Sequence, residues 1–215
     1  MSRMRDRAKR HFPMLLATLL SIVQALALEL LWSHASTATY QFEATLAALL
    51  PIAQVIATFF LIVLIWLVFA SIMMRFQWVP DTMESVYPFI IGLAEFMLIR
   101  SLDAQNPGAW LLLMALLFAM MVRISHMIMR RARLEGDNQN FFSRFEPATI
   151  RDFRPAIIMT STLTVLGIYV WWTNNYGVVA AGAVFGAIGF LVYQFYQQAK
   201  FWDRSVSIDR QDDAA

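Results

Sequence analysis

Six apolar runs dominate the sequence, at residues 13–33, 42–74, 83–102, 108–129, 155–173 and 177–197. A helix rising 1.5 Å per residue crosses about 30 Å of hydrocarbon in roughly 20 residues, so each run is near the length of one transmembrane span. Of the 215 residues 59% are hydrophobic, more than one soluble core of this size takes in, and the excess must face lipid. Charged residues make up 15%, well under the ~25% usual in soluble domains, and they collect between the runs. The expected fold class is therefore an all-α polytopic membrane protein of six transmembrane helices.

The distribution of lysine and arginine sets the expected orientation. Arg3, Arg5, Arg7, Lys9 and Arg10 precede the first run, and Arg75 follows the second. Arg130, Arg131, Arg133, Arg144, Arg151 and Arg154 separate the fourth from the fifth, and Lys200, Arg204 and Arg210 follow the sixth. The opposite connections carry none except Arg100 at a helix end. Basic residues on one side of every second helix predict both termini in the cytoplasm, and the inner membrane if the source is bacterial. Trp32, Tyr40, Trp110, Trp171, Trp172 and Tyr176 are expected at the outer interface, with Phe76, Trp78, Phe201 and Trp202 at the inner one. The net charge of +2 comes from these border residues rather than from one basic face, so no nucleic-acid partner is expected.

Local signals refine the borders. Asp81 and Glu84 fit a capping box, and Asn106 with Pro107 fits an N-cap before proline at the first helical position. Pro51 and Pro88 fall inside runs and predict bends, or in the second case a short interfacial helix before the true span. Connections at 103–107 and 174–176 are short enough to require antiparallel hairpins of spans three with four and five with six. The chain divides into a basic segment 1–12, a transmembrane domain 13–199 with a long polar loop at 130–154, and a polar tail 200–215 expected to fray. Phe141, Phe142 and Phe145 give that loop an apolar patch expected at the headgroups. The first run exceeds the usual length of a signal-peptide core and is read as a retained anchor.

Ionisable groups within the runs are the informative ones, because inserting a charge at the bilayer centre costs at least ~2.5 to 3.5 kcal/mol. Glu29, Glu95 and Arg100 fall at one expected depth, with Gln24 and Gln54 slightly deeper. They form a candidate intramembrane polar site for a proton or cation; the plainer reading is snorkelling, or one ion pair that fixes packing. Arg123, His126, Arg130 and Arg133 recur at one-face spacing along the fourth span, a candidate contact for an anionic lipid or phosphate. Gly182 and Gly186 on the sixth span and Thr160, Thr164 and Gly167 on the fifth suggest two smooth faces meeting in the hairpin, with a homo-oligomer contact as the alternative use.

There is no cysteine, and the three histidines are scattered, so thiolate chemistry is excluded and neither a metal nor a cofactor is expected. HExxH, GxSxG, a phosphate-cradling glycine loop and the TVGYG filter are all absent. The leading expectation is a membrane-embedded accessory, scaffold or sensor acting through protein or lipid contacts, with no motif that specifies an enzyme. Its expected partners are the lipid bilayer, anionic lipid, and another membrane protein or a second copy. The alternatives are a small ion- or proton-coupled transporter or channel using Glu29, Glu95 and Arg100, and an intramembrane lipid-modifying enzyme using His126 as base.

Overall fold

A computed structural model describes residues 3–37, 46–79, 81–103, 107–144, 151–174 and 177–212. Among them there is no strand. The helices are α1 (Arg3–Thr37), α2 (Leu46–Arg75), α3 (Tyr87–Arg100), α4 (Pro107–Ala132), the single turn α5 (Gln139–Phe142), α6 (Arg154–Thr173) and α7 (Val178–Asp212). All but α5 belong to segments long and apolar enough to cross a membrane, six in all, which makes this a membrane protein. Tyr40, Phe42, Pro80, Asn106, Phe145 and Tyr176 lie outside the described residues, as do the side chains of Arg3 and Arg210.

Several borders differ from those expected, each for a local reason. Pro13 does not open α1; the helix begins at Arg3, so its basic first turns extend the span. At 35 residues α1 is about 52 Å long, more than the hydrocarbon requires. Pro51 lies in the second turn of an uninterrupted α2, near its N-terminal end, where its missing N–H removes one intrahelical hydrogen bond; the stretch 38–45 before α2 is outside the described residues. Pro88 falls in the first turn of α3, where its missing N–H is harmless, rather than bending a span. A 3-10 turn at Thr82–Ser85 leads into α3, opened by the expected capping box on Asp81. The tail does not fray at Lys200, since α7 continues to Asp212. Asn174 ends α6 in the left-handed conformation (φ 49°), which asparagine tolerates better than most residues.

Neighbour relations close into a ring in the order α1, α2, α7, α6, α4, α3 and back to α1. The most extensive contact is α4 with α6, followed by α2 with α7. Across the ring α2 meets α4, and Leu61, Leu64, Trp110, Leu111 and Phe118 are fully enclosed. The middle of the ring is therefore packed side chain.

The glycines show how closely the helices approach. A Cβ at Gly167 would stand 2.9 Å from Leu112 Cγ and 3.2 Å from Leu111 Cβ, so the smooth face of α6 is pressed against α4. A Cβ at Gly182, Gly186 or Gly189 would meet nothing within 4 Å. The expected seam of Gly182 and Gly186 against Thr160, Thr164 and Gly167 is thus corrected. Gly167 serves the α4 contact, while α7 buries Ala180, Ala183, Val184, Ala187 and Leu191 and turns its glycines outward.

Candidate functional site

Depth in the bilayer follows from position along a helix, but which groups meet follows from the face they occupy. Gln24 on α1 and Glu95 on α3 face each other: Gln24 Nε2–H donates to Glu95 Oε1 at 2.9 Å and Oε2 at 3.1 Å. Glu95 is 0% exposed. Gly92, one turn before Glu95, makes this contact geometrically possible, because a Cβ there would collide with Val23 Cγ1, next to Gln24. The absent side chain lets α1 and α3 approach until a short amide reaches the carboxyl.

The other members of the expected cluster do not join the pair. Glu29 lies five residues beyond Gln24, and Arg100 five beyond Glu95. At ~100° per residue each is turned about 140° from its buried neighbour, and both are exposed. Gln54 is buried on α2. Gln24 Oε1 is also buried and has no hydrogen-bond partner, which at ~1 to 3 kcal/mol offsets much of what the two hydrogen bonds contribute. The pair fixes how α1 and α3 face each other more than it adds stability. At the far end of the same interface an open cleft of about 270 Å³ is lined by Leu30, Ser33, His34, Thr37, Ile99 and Arg100.

A second polar contact joins α2 to α4. Trp110 Nε1–H donates to Thr58 Oγ1 at 3.0 Å, and the threonine hydroxyl donates to the Gln54 carbonyl at 2.8 Å. Trp110 is therefore a core residue with a satisfied indole, not a member of an interfacial belt. Trp32, Trp171 and Trp172 are exposed, as such a belt requires.

The densest polar arrangement lies at the basic end, around Glu84. This carboxylate is 1% exposed and accepts from Trp78 Nε1 at 2.8 Å, Arg131 Nη1 at 2.9 Å and the Asp81 backbone N–H at 3.3 Å. Arg131 Nη2 also donates to Asp81 Oδ2 at 2.8 Å, and this guanidinium holds the Asp81 carboxyl below the usual carboxylate range. Asn138 binds the chain on both sides: its Oδ1 accepts from Gln77 N, and its Nδ2 donates to the carbonyls of Gln77 and Ala132. Phe76 packs between Phe141 and Phe142 at ring separations of 5.0 and 5.1 Å, and Arg75 and Arg133 lie over Phe141 and Phe142. Phe141, Phe142, Phe76 and Trp78 are thus buried beneath the loop instead of resting among headgroups. Lys9 bridges Glu135 at 2.9 Å and Asp137 at 2.6 Å, and Arg5 reaches Glu135 at 3.4 Å. The Lys9 ammonium holds the Glu135 carboxyl below its ordinary value.

Of the basic stripe, Arg123, His126 and Arg130 are exposed, and His126 meets Phe153 edge-on at 5.4 Å. Arg133 is drawn aside onto the Phe142 ring at 4.5 Å. Sequence reasoning used Glu84 only as a cap and Arg131 only as a topology signal; it passed over Gly92, Thr58 and Asn138. A glycine one turn before an intramembrane carboxyl is a usable signal, whereas nothing marks Asn138.

Comparison with protein-family models, characterised proteins and solved structures gives no match to this chain.

Proposed function

We propose that this protein is a membrane-embedded accessory or scaffold component, acting by lateral contact with another membrane protein or a second copy of itself. In this reading both termini and the basic end lie in the cytoplasm, with spans three/four and five/six as antiparallel hairpins. The observation that carries the proposal is the open glycine face of α7. Gly182, Gly186 and Gly189 lie outward at helical spacing beside the exposed Phe185 and Val192. In lipid there is little hydrophobic drive between helices, and association rests on close backbone approach, which small residues permit. Meanwhile Gln24, Glu95, Thr58, Trp110, Glu84 and Trp78 all take part in contacts within the chain.

Transport through Glu29, Glu95 and Arg100 draws less support, because only Glu95 faces the interior. Chemistry at His126 draws none from its setting against Phe153. The test is the oligomeric state in mild detergent and in lipid nanodiscs, for the native chain and a Gly182→Leu/Gly186→Leu variant. A dimer or a stoichiometric companion that the variant loses supports the proposal. A native chain that is always solitary, or a partner kept by the variant, overturns it.

A further inference from the structure

Arg123, His126 and Arg130 share one face of α4. At ~100° per residue their positions fall within about 60° of one another, and all three are exposed. Neither arginine has a hydrogen bond or ion pair among the described residues. That sets them apart from Arg131, which holds Asp81 and Glu84, and from Lys9, which holds Glu135 and Asp137. Four carboxylates at this end are thus already matched within the chain, and the charge on the stripe is left for a group from outside it.

The surface around the stripe is apolar. Leu116, seven residues before Arg123 and on the same line of the helix, is exposed. Phe153 closes one side against the His126 ring at 5.4 Å, and beyond it Ile157 and Ile158 at the start of α6 are exposed. Two guanidiniums and an imidazole on an oily surface offer donors and positive charge with little to receive them. A phosphate on an acyl-chain carrier complements both parts, because the planar guanidinium fork matches its oxygens and the apolar flanks match its chains.

We propose that this stripe binds the phosphate of an anionic phospholipid in the leaflet at the basic end, with Arg123 and Arg130 as two cationic clamps and His126 as a third donor. The length of α4 suits this occupant. Its 26 residues extend about 39 Å, against ~30 Å of hydrocarbon. With Pro107 at the opposite boundary, His126 lies about 28 Å along the helix, where the hydrocarbon ends, with Arg123 a turn below and Arg130 a turn above. A headgroup phosphate is then level with the middle of the stripe. The competing use of Arg123 is snorkelling, and backbone direction opposes it. Cα–Cβ bonds tilt toward the helix N-terminus, here toward the membrane centre, so Arg123 leaves the backbone directed away from the nearer surface. The same tilt directs Arg130 back toward His126. The site lies on α4 and does not depend on the lateral-contact reading of α7.

The test is native mass spectrometry of the delipidated full chain in neutral detergent, titrated separately with phosphatidylglycerol, phosphatidylcholine and inorganic phosphate. Arg123→Gln and Arg130→Gln each remove one charge-assisted hydrogen bond and should each weaken phosphatidylglycerol binding about tenfold. His126→Phe keeps the ring contact with Phe153 and should weaken it about threefold. Arg204→Gln, which removes an exposed cation from α7, should change it less than about twofold. Arg130 lies in the last turn of α4, so its variant keeps the test open if Arg123→Gln folds poorly. Preference for phosphatidylglycerol over phosphatidylcholine with this variant pattern supports the proposal. Inorganic phosphate bound as tightly, with the same pattern, overturns the lipid assignment in favour of a soluble anion. An acidic protein companion that the Arg123 variant loses, while the lipid titration stays flat, overturns it in favour of a protein partner. Lipid binding that is absent, unaltered in the three stripe variants, or weakened equally by Arg204→Gln also overturns the proposal.

Discussion

Glu84→Ala should be among the most damaging single substitutions at the basic end. It removes the acceptor of two side-chain donors at once: Trp78 Nε1, on a fully buried indole, and Arg131 Nη1. Breaking a buried ion pair from one side costs ~3 to 5 kcal/mol, and an orphaned buried N–H costs ~1 to 3. Arg131 is about a third exposed and retains Asp81, so the ion-pair part is discounted heavily. The expected loss is about 2 to 3 kcal/mol, which for a chain of this size lowers Tm by roughly 4 to 12 °C. Thermal unfolding in detergent, followed by near-ultraviolet circular dichroism, reads both the midpoint and the Trp78 environment. Glu84→Gln retains one acceptor oxygen and should recover part of the loss. In a double-mutant cycle Arg131→Ala should be clearly non-additive with Glu84→Ala. An Ala variant melting within about 2 °C of the native chain would refute the reasoning, since a surface substitution does no more than that.

Other perturbations follow from the same contacts. Gly167→Leu drives a side chain into Leu111 and Leu112 and should destabilise the monomer by about 1 to 3 kcal/mol, whereas Gly182→Leu should change monomer stability by less than about 0.5; equal melting points for the two would contradict the assignment of their faces. Gln24→Leu removes the amide donor to Glu95 and should cost about 0.6 to 2 kcal/mol by denaturant titration in micelles; a stabilised variant would show that the orphaned Gln24 oxygen outweighs the hydrogen bonds. The Glu135 carboxyl has its pKa lowered from 4.5 by Lys9, so its contribution is complete above that value and lost as pH falls through the lowered one. Hydrogen exchange of residues 3–9 should therefore be constant from neutral pH down to about pH 5 after correction for intrinsic rates, and should quicken only in stronger acid; loosening centred between pH 6 and 7 would point to another group.

Much of the fold was legible because a bilayer imposes one length on every span, and runs of apolar residues report that length directly. The helix ends were less so. Pro13 and the polar residues after Lys200 marked borders of hydrophobicity, yet backbone helicity passes through both, since helix formation needs no apolar side chain once its turns are nucleated. Position along a helix was legible for Glu29, Glu95, Arg100 and Gln24, but facing was not. A separation of five residues looks small on paper and is more than a third of a turn away on the helix. GxxxG on α7 was correctly seen as smooth, but its partner could not be read, because six helices pack in an order that short loops only partly fix. The arrangement around Glu84 was hidden for another reason. Its members come from the entry to α3, the end of α4 and the segment before α3, and such meetings leave no periodic trace in the chain.

The most direct test of the whole account uses the absence of cysteine. Single cysteines placed at Arg5, Asp103, Asp137, Thr173 and Arg204, one per variant, are treated in sealed, oriented vesicles with a membrane-impermeant maleimide. The account predicts that positions 5, 137 and 204 react from one side only, and positions 103 and 173 from the other only. Labelling of 5 and 103, or of 137 and 173, from the same side would contradict the threading of these six helices through the membrane.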